Sequence, residues 1–185
     1  MLSQLVSASL IGVDAIRIEV ETNLDSGLPM FVVVGLPDSA IKESRERVLT
    51  AIKNSGFVVP PKKITVNLAP ADVRKEGTAF DLPMALGILA SAGIIDAEQL
   101  KNTVVIGELA LDGMLRRVSG ALPVSVMASR EKFDRLIVPR ENAREAAVAA
   151  AVHQTLNVYG VESLTQAVGF LNGEINIEPE SVKLE

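Results

Sequence analysis

The stretch ITVNLAPADVRKEGTAFDLPMALGILA, Ile64 to Ala90, sets a charged, glycine-bearing loop between two apolar pieces. Ile64, Val66 and Leu68 alternate with Thr65 and Asn67, the pattern of a strand with one buried face. Leu82 to Ala92 is apolar at almost every position, as in a helix covered on most sides. The intervening APADVRKEGT is too polar for a core and too long for a tight turn. In α/β proteins a loop after a strand is a common place for a site. Catalytic groups, a bound phosphate or a plain connection are all compatible with its composition.

The 185 residues suffice for one domain with a full core. With 48% hydrophobic and 22% charged residues the composition is that of a globular protein. No apolar run reaches the roughly 18 to 20 residues that span a bilayer. The opening MLSQLVSASLIGVDAIRIEV lacks the basic and long apolar segments of a signal peptide, so the expected location is cytoplasmic, without membrane contact. There is no cysteine, which excludes disulfides, thiolate metal sites and a cysteine nucleophile. The net charge of −5 runs against a dedicated nucleic-acid binder, whose affinity comes mainly from neutralising phosphates. Basic residues occur only in small clusters: Arg45 and Arg47, Lys62 and Lys63, Arg74 and Lys75, Arg116 and Arg117. Five Phe, one Tyr and no Trp leave little for stacking on single strands.

Outward from the opening stretch, AIRIEVET alternates as a half-solvated strand, and the β-branched MFVVVG reads as a more buried one. GLPDSAIKESRERVLTAIKNSG reads as a helix capped by Asp38 or Ser39, lined on one face by Ile41, Val48, Leu49 and Ile52, and stopped at Gly56. Asp81 is expected to cap the apolar helix, with Pro83 in its first turn and Gly93 at its end. Asp112-Gly113 signals a type I′ hairpin turn. A helix near 121–132, strand RLIVP, helix ENAREAAVAAA, strand TLNVYG and helix ESLTQAVGFL follow, so the last repeats read as βαβ units. The polar segment after Asn172 reads as a linker or frayed end.

Most conventional chemistries are absent. No glycine is followed by lysine, so there is no nucleotide-binding P-loop, and no Gly-x-Gly-x-x-Gly occurs. The single histidine, His153, sits at a helix end and reads as a surface or capping residue. It cannot build a histidine-rich metal site or a serine triad without a nucleophile elbow. Glu43 with Glu46, and Glu141 with Glu145, are spaced as solvated helix faces. Elimination leaves a serine–lysine dyad as the one catalytic set to weigh.

GLPDSAIKESRERVLTAIKNSGFVVPPKKITVNLAPADVRKEGTAFDLPMALGILASAG, continued by GELALDGMLRRVSGALP and IVPRENAREAA, closely resembles the N-terminal domain of the ComM/YifB family. These bacterial proteins are also called magnesium-chelatase-like or competence-related. The resemblance runs to about Asn172 and implies a Lon-protease-like α/β fold of α+β type, a mixed β-sheet with packed helices shared with a ribosomal protein domain. On that basis residues 1–172 are the Lon-like domain and 173–185 a linker toward an AAA+ ATPase module of which no motif occurs here. Family members are hexameric DNA motors implicated in branch migration during recombination and natural transformation. The resemblance therefore implies a homo-oligomer, partnership with the chain's own AAA+ module, and ATP with Mg in that module, with no cofactor or metal in this segment.

Lon-type proteases carry a Lys-Asp-Gly-Pro-Ser-Ala-Gly run whose serine is the nucleophile. Against KEGTAFD the serine position is Ala79, and the dyad lysine, which follows a Gly-Gly-Leu turn, falls at Leu122. Both dyad positions are vacant, since alanine has no nucleophilic oxygen and leucine cannot take its proton. The segment is thus expected not to be an enzyme. Arg74, Lys75, Glu76, Arg116 and Arg117 are the expected contacts to nucleic acid or a neighbouring subunit, with any DNA binding weak. The bland alternative ties Lys75 to Asp72 or Glu76 in a salt bridge. Competing readings are a stand-alone protein-interaction domain and, less favoured, a divergent protease using Thr78 or Ser119 with Lys75. A chelatase role in tetrapyrrole synthesis rests on a shared label alone.

Overall fold

A computed structural model describes residues 1–153 and 155–183. The chain opens with a long antiparallel hairpin, β1 (Leu2–Ile11) and β2 (Asp14–Asp25), in register from Leu2↔Asn23 to Ile11↔Asp14. β2 alternates as its sequence predicts, with Ile18 and Val20 fully buried and Arg17 exposed. β1 follows no such rule: Ser3, Ser7 and Ser9 are buried as deeply as Leu5 and Ala8, because both faces of this central strand are covered.

β3 (Met30–Val34) leads into α1 (Ser39–Asn54) and back to β4 (Lys63–Ala69), which pairs parallel to β3 and antiparallel to β2. Asp38 is the cap of α1, its Oδ1 accepting from the Ile41 N–H at 2.9 Å. Two expectations fail here. β3 is an edge strand with Met30 and Val34 exposed, not a buried one, and Leu49 is 37% exposed, turned off the face that buries Ile41, Val48 and Ile52.

α2 (Asp81–Ser91) is buried along its whole length. Small residues let it lie close on the sheet. Ser3 Oγ donates to the Gly87 carbonyl at 2.7 Å, Ser91 Oγ donates to the Thr22 carbonyl at 3.0 Å, and a Cβ on Gly87 would stand 2.5 Å from Thr22 Oγ1. A 3-10 turn at Ala97–Leu100 precedes β5 (Thr103–Val105) and the small hairpin of β6 (Glu108–Leu109) and β7 (Leu115–Arg116). Its turn is not type I′, which needs positive φ at both central residues. Gly113 alone has it (φ 89°), after an Ala110–Gly113 turn closed by the Gly113 N–H on the Ala110 carbonyl. α3 (Ala121–Arg130), β8 (Arg135–Pro139), α4 (Arg140–His153), β9 (Asn157–Val161) and α5 (Leu164–Leu171) complete the domain.

Among the described residues the main sheet has seven strands in the order β3-β4-β2-β1-β5-β8-β9. All neighbours are parallel except β1–β2 and β2–β4, so β2 alone runs against the rest. Residues of α1, α2 and α5 join one core cluster and those of α3 and α4 the other. The expected mixed α/β sheet with packed helices is the fold. No described helix is long and apolar enough to cross a membrane. The segment after Asn172 corrects the linker expectation in part. It has no regular structure, yet Ile177 packs on one core cluster, Val182 on the other, and the Glu180 N–H donates to the Val158 carbonyl at the β9 edge. Leu184 and Glu185 lie outside the described residues.

Candidate functional site

Six of the strands end on the same side of the sheet, and the loops that follow β1, β3, β4 and β5 meet there. Ligand sites of open α/β sheets favour this place. The loop between β4 and α2 is held down by three independent ties to the loop before α1. The Lys75 N–H donates to the Leu36 carbonyl at 3.1 Å and the Asp38 N–H to the Lys75 carbonyl at 3.0 Å. The Gly77 N–H donates to Asp38 Oδ2 at 3.1 Å, so one carboxylate caps α1 and anchors the loop. Lys75 Nζ donates to the carbonyls of Gly35, at 2.6 Å, and Pro70. Gly35 (φ 105°) must be glycine, because a Cβ there would stand 2.1 Å from the Leu68 carbonyl oxygen.

Lys75 is therefore 0% exposed, a buried ammonium resting on two carbonyl oxygens. Burial pushes its pKa below the ordinary 10.5, opposed by the Asp72 carboxylate. This corrects the expectation that Lys75 is a surface contact, and it forms neither of the salt bridges weighed for it. Arg74 takes the pair instead, 3.4 Å from Glu76, with both side chains exposed. Lysine's long apolar stem and single charge satisfy inward-turned carbonyls, so a charged loop residue becomes a structural pin.

Asp81 also departs from its expected role. The residue at the N-cap position of α2 is Phe80, without a side-chain cap. Asp81 is 0% exposed and accepts from Arg47 Nε at 2.9 Å, Arg47 Nη2 at 3.2 Å and the Leu109 N–H at 3.0 Å. The bidentate pair ties α1, α2 and β6 together, and its bonding to Asp81 raises the Arg47 pKa further.

Between the pinned loop and the segment before α3 lies a cleft of about 440 Å³. Gly77, Thr78 and Ala79 form one side and Val118 and Ser119 the other, with the end of β1, Ala8 to Leu10, between them. The two segments flagged from sequence thus meet at one cleft, with Ala79 in its wall. Leu122 does not line it; that side chain is 44% exposed and faces a separate hollow with Val13 and Arg130. Arg116 and Arg117 are exposed outside the cleft, Arg117 lying 3.9 Å from Glu145. Among the described residues no group of three or more His, Cys, Asp or Glu side chains is placed to hold a metal ion.

Helices on both faces of a mostly parallel mixed sheet, with a cleft at the strand ends that has Ala79 in its wall, make a Lon-like α/β domain. Residues 20–142 match the family model described as subunit ChlI of Mg-chelatase, and the chain belongs to this family as a ComM/YifB-type N-terminal segment. It is 44% identical over 168 residues to the competence protein ComM of Haemophilus influenzae, covering 91% of this chain and 32% of that protein. It is 40% identical over 168 residues to YifB of Salmonella typhimurium, again 91% of this chain and 32% of the relative. A weaker similarity, 30% over 105 residues, links 56% of this chain to 18% of Lon protease 2 of Bacillus subtilis. The chain thus spans about a third of the length of these first relatives.

Proposed function

We propose that this chain is the non-catalytic N-terminal module of a ComM/YifB-type AAA+ ATPase that moves DNA branches in recombination and natural transformation. Similarity over 91% of the chain to a competence protein supports the assignment. The observation that carries the non-catalytic part is Ala79 in the cleft wall, with Lys75 turned away onto two carbonyls. A lysine so occupied cannot serve as base for Thr78 or Ser119, which removes the support for a divergent protease. ATP and Mg belong to the AAA+ module, residues 173–185 lead toward it, and the working assembly is a cytoplasmic hexamer.

Within that assembly the domain contributes to subunit contacts more than to DNA handling. Of the four expected cations, Lys75 is buried, Arg74 faces Glu76 and Arg117 faces Glu145, which leaves Arg116 as the exposed one without an ion pair among the described residues. The net charge of −5 also favours protein contacts, the feature it shares with the stand-alone interaction-domain reading. The test is to incubate the isolated chain with ATP and, separately, with unfolded casein. Blank-level turnover in both is expected; turnover in either that Thr78→Ala abolishes overturns the reading.

A further inference from the structure

Residues 174–183 leave the end of α5 and cross an open edge of the sheet. Ile175 lies over Gly169, where a Cβ would stand 3.4 Å from Ile175 Cγ1, and the Gly169 carbonyl accepts from the Glu174 and Ile175 N–H groups. Ile177 packs on the core cluster of α1, α2 and α5 and Val182 on that of α3 and α4. The segment therefore passes from one face of the sheet to the other around β9, the last strand. It does so with few ties. Of residues 174–183 only Ile177 and Val182 are half-buried, and the rest are exposed. One backbone hydrogen bond joins the segment to β9, from the Glu180 N–H to the Val158 carbonyl at 2.7 Å. Gly160, two residues on, turns its N–H and carbonyl to the same side, where no backbone group of the segment bonds them, and Pro179 has no N–H to give. A cavity of about 390 Å³ lies between Asn176 to Glu180 on one side and Arg140, Gly160 and Gln166 on the other. The Asn176 side chain turns to Glu178 at 3.1 Å, and Arg140 pairs with Glu162 at 3.2 Å, so among the described residues the acids of the segment make no ion pair with the domain.

We propose that this segment is an exchangeable strap: the β9 edge is its docking site, and where copies are held close the strap of one copy occupies the β9 edge of a second. An edge strand with free N–H and carbonyl groups invites pairing, and the strap covers that edge without sealing it. Its fit depends on Ile177, Val182 and one backbone donor, none of which requires strap and edge to belong to one chain. The turn at Gly173 (φ 73°) and the two bonds to the Gly169 carbonyl belong to the end of α5, so the pivot lies beyond Ile175. Exchange of an identical element replaces each contact by the same contact in the neighbour, so its net cost is low at high local concentration. The inference needs two copies of this chain and neither ATP nor DNA, so it stands apart from the motor reading.

The probe is a fluorescein-labelled peptide of the strap, Glu-Ile-Asn-Ile-Glu-Pro-Glu-Ser-Val-Lys, read by polarisation against the isolated chain. In the wild type the chain's own strap holds the site. Ile177→Asp/Val182→Asp empties it and should bind the peptide about tenfold or more tighter than the wild type does. The peptide with Asp at the Ile177 and Val182 positions should bind neither. Glu180→Pro removes the one backbone donor and keeps both apolar anchors. It should tighten peptide binding about fivefold, the worth of one hydrogen bond, and it decides the matter if the double variant fails to melt cooperatively. Sedimentation of the wild type toward roughly millimolar chain, the effective concentration of a short tether, should show a dimer that Ile177→Asp/Val182→Asp lacks. Equal peptide binding by wild type and folded variants, binding of the Asp-bearing peptide, a wild type that stays monomeric, or a dimer that persists in the double variant overturns the inference. The isolated chain can fail here while still lacking ATP and casein turnover, so the two readings fall separately.

Discussion

Replacing Asp81 by Ala should be among the most damaging single changes in the domain. The carboxylate is fully buried and accepts three hydrogen bonds, two from Arg47 and one from the Leu109 N–H. Removing one member of a buried ion pair costs about 3–5 kcal/mol because the other charge stays behind. Arg47 keeps Ser44 Oγ as a partner at 2.9 Å and its side chain is 24% exposed, so part of its charge reaches water and the lower half of that range applies. The orphaned Leu109 N–H adds about 1–3 kcal/mol. A total of about 4–7 kcal/mol corresponds to a melting temperature lower by roughly 8–28 °C for a chain of this size. Urea unfolding of the wild type, Asp81→Ala, Arg47→Met and the double variant measures it. The double variant should be less destabilised than the sum of the singles by about 1–3 kcal/mol, because the stranded charge is gone. A loss below about 1 kcal/mol for Asp81→Ala, or an additive cycle, refutes the pair as a structural tie.

Gly87→Ala should cost about 1–3 kcal/mol by overpacking against Thr22 Oγ1, and Thr22→Ala should relieve most of it at little cost of its own, since that hydroxyl has no partner. An unrelieved loss in the double variant would place the strain elsewhere. Lys75 has its folded pKa below its ordinary 10.5, so between the two values the unfolded chain binds more protons. Its contribution is present above pH 10.5 and is lost as pH falls through the lowered value; stability relative to Lys75→Met should rise from neutral toward alkaline pH, and a flat or falling difference contradicts the burial. DNA binding by the isolated chain should follow salt with a log–log slope no steeper than about −3, for three exposed arginines at most, and should weaken in Arg74→Ala/Arg116→Ala/Arg117→Ala. Salt-insensitive binding to one sequence would refute it.

The half-buried strands and the apolar helix were legible because burial repeats locally: Ile64, Val66 and Leu68 all point inward, and so does every residue of α2. β1 was not legible, since the sheet centre under a close helix selects small residues and its serines mimic a polar surface. The β-branched run of β3 reads as central although it sits at an edge, where Arg45 Nη1 donates to the Phe31 carbonyl from the side. Asp81 shows the limit most clearly. An aspartate at a helix start satisfies the local capping rule, and the partner that claims it lies 34 residues away. Lys75 reads as a surface charge for the same kind of reason, because the two inward carbonyls of Gly35 and Pro70 come together only once the loops have met. In the tail the apolar signal was present in Ile175, Ile177 and Val182, spread too thinly among polar residues to outweigh them.

The central claim is that the domain is a non-catalytic part of an ATP-driven DNA motor. Branch migration of a four-way junction by the full-length protein, with and without residues 1–172, tests it most directly. The full-length protein should move the junction when ATP is supplied, and the shortened one should still hydrolyse ATP in the presence of DNA but move the junction more slowly. A full-length protein that leaves the junction in place, or a shortened one that moves it at the same rate, contradicts the account.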